Sequence, residues 1–140
     1  MLNKAFIEQK LDKIKNYYKE LEKILEIEDS QIIENTINLR AIERIFQLIV
    51  DEMIDINLHL IRELNLSSPQ DFQSGFEILA KGKILPYDFA RKIAPVVGLR
   101  NRLVHRYEEI DRKFFLRQVG EEREDFIKYI RYIEEFLNKK

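Results

Sequence analysis

Apolar residues recur along this chain at steps of three and four, the spacing that stacks side chains on one face of an α-helix. Ile7, Leu11, Ile14, Tyr18, Leu21 and Leu25 form the first stripe and predict a helix over residues 4–27. Asp29 or Ser30 is placed to cap a second helix. Its stripe of Ile42, Ile45, Ile49, Met53, Ile56, Leu60 and Leu64 carries it to about Asn65. A further set, Leu39, Phe46, Val50, Ile54 and Ile61, widens its apolar surface to more than one side. A helix of this kind is central in a bundle, covered by another subunit, or both, and both are expected here.

Ser67, Ser68 and Pro69 end that helix and start a shorter one over about residues 69–80, closed by Gly82. Pro86 opens a fourth helix with Tyr87, Phe89, Ile93, Val96 and Val97 as its apolar positions, and Pro95 and Gly98 predict a kink within it. The helix then resumes through residues 98–111. A last helix carries Phe126, Ile130, Ile133 and Leu137, with Gly120 separating it from a short turn over 112–119. The sum is an all-α, up-and-down bundle of about five helices, a single domain over residues 1–140.

Composition narrows the chemistry. Four glycines and three prolines are too few for an all-β chain with many turns. The absence of cysteine excludes disulfides, thiol nucleophiles and thiolate metal sites. The N-terminal stretch has no apolar signal core. The most apolar long run, residues 42–64, is interrupted by Glu43, Arg44, Asp51, Glu52 and Asp55, which a membrane span would not carry. A soluble, cytoplasmic protein without a membrane partner is expected.

The net charge of −1 offers no global basic field, so any anion site must be local. Residues 91–117 hold eight basic and three acidic side chains, a local excess of +5. Within them, GLRNRLVHRYEEID (98–111) combines Arg100, Arg102 and Arg106 with Asn101, His105 and Tyr107 on a helix anchored by Leu99, Leu103 and Val104. The run reads either as a solvated face laced with ion pairs or as a phosphate site. An unperturbed imidazole titrates near pH ~6.5 and can both take and give a proton. Arginine offers paired donors to a phosphate and to the added charge of pentacoordinate phosphorus. Together they can cleave RNA through attack of the ribose 2′-hydroxyl, with no enzyme nucleophile and no metal. Arg100 and His105 diverge by roughly 140° on a straight helix. Either the helix bends, or a second copy of the motif completes the site in a two-fold dimer.

The segment RNRLVHRY resembles the R-x4-H-x-Y signature of HEPN-domain toxins, with Arg100, His105 and Tyr107 in register. The fuller R-N-x-x-V-H-x-Y form of the HepT-like branch is met at Arg100, Asn101, Val104, His105 and Tyr107. The segments LRAIERIFQLIVDEMIDINLHLIREL and SPQDFQSGFEILAKGKILPYDFARKIAPVVGLRNRLVHRYEEID resemble that branch's central helix and following helices, so most of the chain is covered. The resemblance implies an all-α homodimer, the metal-independent endoribonuclease toxin of a toxin–antitoxin pair. Arg100 would stabilise phosphate charge, His105 would be the general acid/base and Asn101 would orient the site, with Arg102 and Arg106 supporting the substrate. Tyr107 would be the target of nucleotidylation by a minimal nucleotidyltransferase (MNT) antitoxin. A bulky, anionic adenylate at the mouth of a cationic cleft would repel RNA. No cofactor and no metal is expected.

Other residues have plainer readings. Asp51, Asp55, His59 and Glu63 recur every four residues on one helix face, which fits a metal site or, more simply, an intrahelical or inter-protomer polar ladder. The pairs Tyr17–Tyr18 and Phe114–Phe115 read as packing residues. Beside the toxin stands a second functional class: a non-catalytic HEPN-like scaffold that binds RNA, a nucleotide or a nucleotidyltransferase.

Overall fold

A computed structural model of the chain describes residues 1–105 and 110–140. Among them the regular elements are seven α-helices: α1 Lys4–Leu25, α2 Asp29–Glu34, α3 Thr36–Glu63, α4 Ser74–Lys81, α5 Tyr87–Ile93, α6 Pro95–His105 and α7 Arg112–Asn138. The architecture is the expected all-α bundle. The helix α3 is central, packing against α1, α2, α4 and α6. Its two apolar sets account for this: from Leu39 to Ile61 both are buried, leaving Leu64 half-buried at the end. The first stripe behaves in the same way, with Ile7, Leu11, Ile14 and Leu21 buried against α3 and α7.

The division into helices differs from the expectation in four places, each for a local reason. The second helix is two helices, because Asn35 adopts an extended conformation (φ −96°, ψ 98°) and its side chain accepts from the backbone N–H groups of Ile37 and Asn38. That is a helix start inside what periodicity reads as one run. The short helix begins at Ser74 and not at Pro69. There Asp71 does the capping, its Oδ1 accepting from the Ser74 N–H at 2.8 Å while the Ser74 hydroxyl donates to the Asp71 carbonyl at 2.9 Å. The expected kink is a full break at Ala94–Pro95, where proline has no N–H to extend the α5 ladder, and α6 then runs through Gly98 unbroken. Finally, α7 is one helix from Arg112, capped by Asp111, and Gly120 sits inside it without interrupting it.

Two of the long helices, α3 and α7, meet around aromatic rings. Phe46 of α3 touches Phe115 and Phe126 of α7, with centroids 5.6 and 6.0 Å apart. Tyr129 is fully buried and donates its hydroxyl proton to Asn57 Oδ1 at 2.7 Å, beside the Met53 carbonyl. Burial pushes this phenol well above its ordinary range. Phe115 and Tyr129 are thus core residues, whereas Phe114 remains exposed and Tyr17 and Tyr18 are half-buried. No helix among the described residues is long and apolar enough to cross a membrane.

Candidate active site

The site is built on α6. Val96, Val97, Leu99 and Leu103 are buried and seat this helix against its neighbours α3 and α5. Val104 does not join them; it is 41% exposed. With Leu99 and Leu103 turned inward, Asn101, Arg102 and His105 are left exposed and Arg100 is half-buried at the edge of the packed face. Arg106 and Tyr107 lie outside the described residues.

Because Arg100 flanks the buried stripe, its side chain reaches across to α3. There its Nε donates to Asp51 Oδ1 at 2.8 Å, and its Nη1 donates to Asn101 Oδ1 at 3.1 Å. The guanidinium is therefore held through Nε and Nη1, and Arg100 lines a concavity of about 440 Å³ together with Phe72, Asn101, Arg102 and His105. Arg100 and His105 thus share one concave wall despite their divergence around the helix axis. Among the described residues its lining carries arginine and imidazole donors and no carboxylate. A concavity of similar size between α1 and α7 is lined by Glu8, Asp12 and Glu134, and so repels a phosphate.

Two members of this neighbourhood escape a reading of the motif. Asp51 is a recognisable oddity, an acid in the middle of an apolar helix, but nothing in sequence pairs it with Arg100. Phe72 lies in the connection between α3 and α4 and carries no local signal at all. The ladder on α3 resolves into separate partnerships: Asp51 with Arg100, Asp55 with Lys10 of α1 at 2.8 Å, and Glu63 with Arg62 and the Met1 amine. His59 accepts from the Asn3 N–H at 3.1 Å and lies 3.3 Å from an Arg62 nitrogen. Most of these partners are on neighbouring segments of the same chain rather than along α3. Among the described residues, no group of three or more His, Asp or Glu side chains is placed to hold a metal ion.

The molecule is a helical bundle that sets an arginine, an asparagine and a histidine of one helix around a single concavity. The chain belongs to the ribonuclease HepT-like family, whose model matches residues 14–133. A tRNA nuclease HepT from Aphanizomenon flos-aquae (strain 2012/KM1/D3) is 32% identical over 133 residues, covering 95% of this chain and 90% of that protein. An mRNA nuclease HepT from Shewanella oneidensis is 32% identical over 77 residues, 55% of this chain and 58% of the relative. Among solved structures, a tri-AMPylated Shewanella oneidensis HEPN toxin in complex with an MNT antitoxin superposes with a TM-score of 0.85. It is 26% identical and the match covers 92% of this chain and 96% of that one. The cytosolic protein YutE from Bacillus subtilis, 18% identical, superposes with the same TM-score of 0.85 over 99% of this chain and 92% of its own, and shares the fold.

Proposed function

We propose that this chain is the toxin of a HEPN–MNT toxin–antitoxin pair, a cytoplasmic, metal-independent endoribonuclease whose whole length, residues 1–140, forms one helical domain and works as a homodimer. The observation that carries the reading is the concavity in which Asp51-braced Arg100 stands with Asn101, Arg102 and His105. It is supported by membership of a ribonuclease family and by relatives named as tRNA and mRNA nucleases.

In this reading RNA enters with a phosphate at the free end of the Arg100 guanidinium. His105 removes the proton of the ribose 2′-hydroxyl, and O2′ attacks the adjacent phosphorus. The P–O5′ bond breaks as the O2′–P bond forms, leaving a 2′,3′-cyclic phosphate, and the departing O5′ takes a proton from the His105 imidazolium and leaves as a 5′-hydroxyl. Arg100 neutralises the charge that gathers on the phosphoryl oxygens in the transition state. Asn101, which accepts from Arg100, keeps that side chain in place, and Arg102 and Arg106 attract the strand. Tyr107 is assigned as the residue that an MNT antitoxin adenylylates. One solved relative is a tri-AMPylated HEPN toxin in complex with an MNT antitoxin.

The test is cleavage of labelled RNA by the purified chain in EDTA. Arg100→Ala and His105→Ala are each expected to slow cleavage by about 100-fold or more, with a dimeric mass in light scattering. Binding without cleavage would favour the non-catalytic scaffold, and an active monomer would remove the dimer from the reading. After coexpression with the antitoxin, mass spectrometry should find adenylate on Tyr107.

A further inference from the structure

The connection between α3 and α4 is held at both ends. Asn65 turns the chain with a φ of 53°, and the Leu66 N–H returns to the Ile61 carbonyl at 2.9 Å. At the other end the reciprocal bonds between Asp71 and Ser74 bracket Phe72. The backbone at Phe72 is therefore set by hydrogen bonds on both sides. Its ring is nevertheless 47% exposed, while Phe76, one turn further on, is fully buried. A benzyl side chain left half in water forgoes the burial that would stabilise the fold. Its place is instead on the wall of the concavity formed by Arg100, Asn101, Arg102 and His105.

Arginine and imidazole groups bind the charged backbone of a nucleic acid and can also stack on a base. A phenyl ring can do only the latter, because it carries no hydrogen-bonding group and every base has a π-face that stacks on it. Inside an A-form duplex both faces of a base are already covered by its neighbours, and only unpaired, splayed bases can stack on a protein ring. The volume of about 440 Å³ lies in the range of small-ligand sites.

We propose that Phe72 is the base-stacking platform beside the scissile phosphate, so that the substrate must present an unpaired, unstacked nucleotide to be cut. The proposal rests on the ribonuclease reading and adds to it a residue that contacts the substrate base. In this role Phe72 contacts substrate without touching the reacting atoms.

The chain contains no tryptophan, so Phe72→Trp installs a single fluorescent reporter at the platform. The probe is an oligonucleotide with 2′-deoxy sugars, which binds and cannot be cleaved. A single strand is expected to quench the tryptophan, the matching duplex to leave it unchanged, and an abasic nucleotide scanned along the strand to remove the quenching at one position. In cleavage assays on single-stranded RNA, Phe72→Ala should raise KM by about tenfold. Phe72→Tyr should restore it and Phe72→Leu should not, since leucine refills apolar volume without offering a stacking face. Equal cleavage by wild type and Phe72→Ala would overturn the platform and leave the ribonuclease reading standing. Loss of the wild-type mass in light scattering by Phe72→Ala, with Phe72→Leu retaining both mass and KM, would instead make Phe72 a protein contact and overturn the proposal. A wild-type chain that neither binds nor cleaves RNA removes the ribonuclease reading and the platform with it.

Discussion

In the proposed reading Arg100 has to satisfy two demands with one guanidinium: a fixed position and an open end for phosphate. The Asp51 contact at Nε meets the first without consuming the second. This pair is partly buried, with the Arg100 and Asp51 side chains 19% and 34% exposed, and an ion pair still reached by water contributes typically about 0–1 kcal/mol, so its value is mainly orientation. Asp51→Asn is therefore expected to leave the thermal midpoint nearly unchanged and to lower kcat for RNA cleavage about tenfold, because a misplaced arginine stabilises the transition state poorly. A rise in kcat would mean the opposite, that Asp51 holds Arg100 away from the substrate. At this scale the sequence names Arg100, Asn101 and His105 through their spacing. It could not supply Asp51 or Phe72 as their neighbours, since those lie 49 and 28 positions before Arg100 and meet the site through folding alone.

The helices themselves were legible where burial is one-sided and sustained. The stripe of α1 and the double stripe of α3 are strong periodic signals, and both helices stand where those stripes are. Boundaries were less legible because caps are set by single side chains. Asn35 divides an apolar run, and Asp71 with Ser74 overrides the start suggested by Ser68 and Pro69. Gly120 misled in the other direction, since glycine loosens a helix only when packing does not hold it. Phe115, Leu116, Val119 and Phe126 are buried on both sides of Gly120, so α7 continues through it. A Cβ added there meets nothing within 4 Å. Gly120→Ala should raise stability by roughly 0.5–1 kcal/mol, seen as a higher unfolding midpoint with unchanged cleavage. A lower midpoint would show that the helix needs the freedom of glycine at that position.

Across the whole molecule, the joint between the start of α1 and the end of α3 is sensitive to pH. The His59 ring is buried against Phe6, with centroids 4.9 Å apart, and its Nε2 accepts from the Asn3 N–H. Burial and then the positive charge of Arg62 hold its pKa below the ordinary value of 6.5, with the Met1 amine acting in the same direction and Glu63 opposing them. The unfolded chain thus takes up a proton near pH ~6.5 that the folded chain refuses. Stability present above that pH is lost as the pH falls below it. The unfolding midpoint should drop between pH 7 and about 5.5 in the wild type, and less in His59→Gln. A drop of equal size in both would place the acid sensitivity elsewhere.

The sequence by itself determined the class of fold, because apolar periodicity and scarce turn residues leave little but a helical bundle. It also determined the chemistry on offer, because arginine, asparagine and histidine at fixed spacing on one helix are a local property of the chain. Tertiary structure decided what that chemistry faces. Docking α6 on α3 buries Leu99 and Leu103, and so turns Arg100 toward Asp51 and Asn101, Arg102 and His105 toward solvent. The bracketed connection after α3 then brings Phe72 to the same concavity. No helical period encodes such meetings, since they depend on how separate apolar faces pack together.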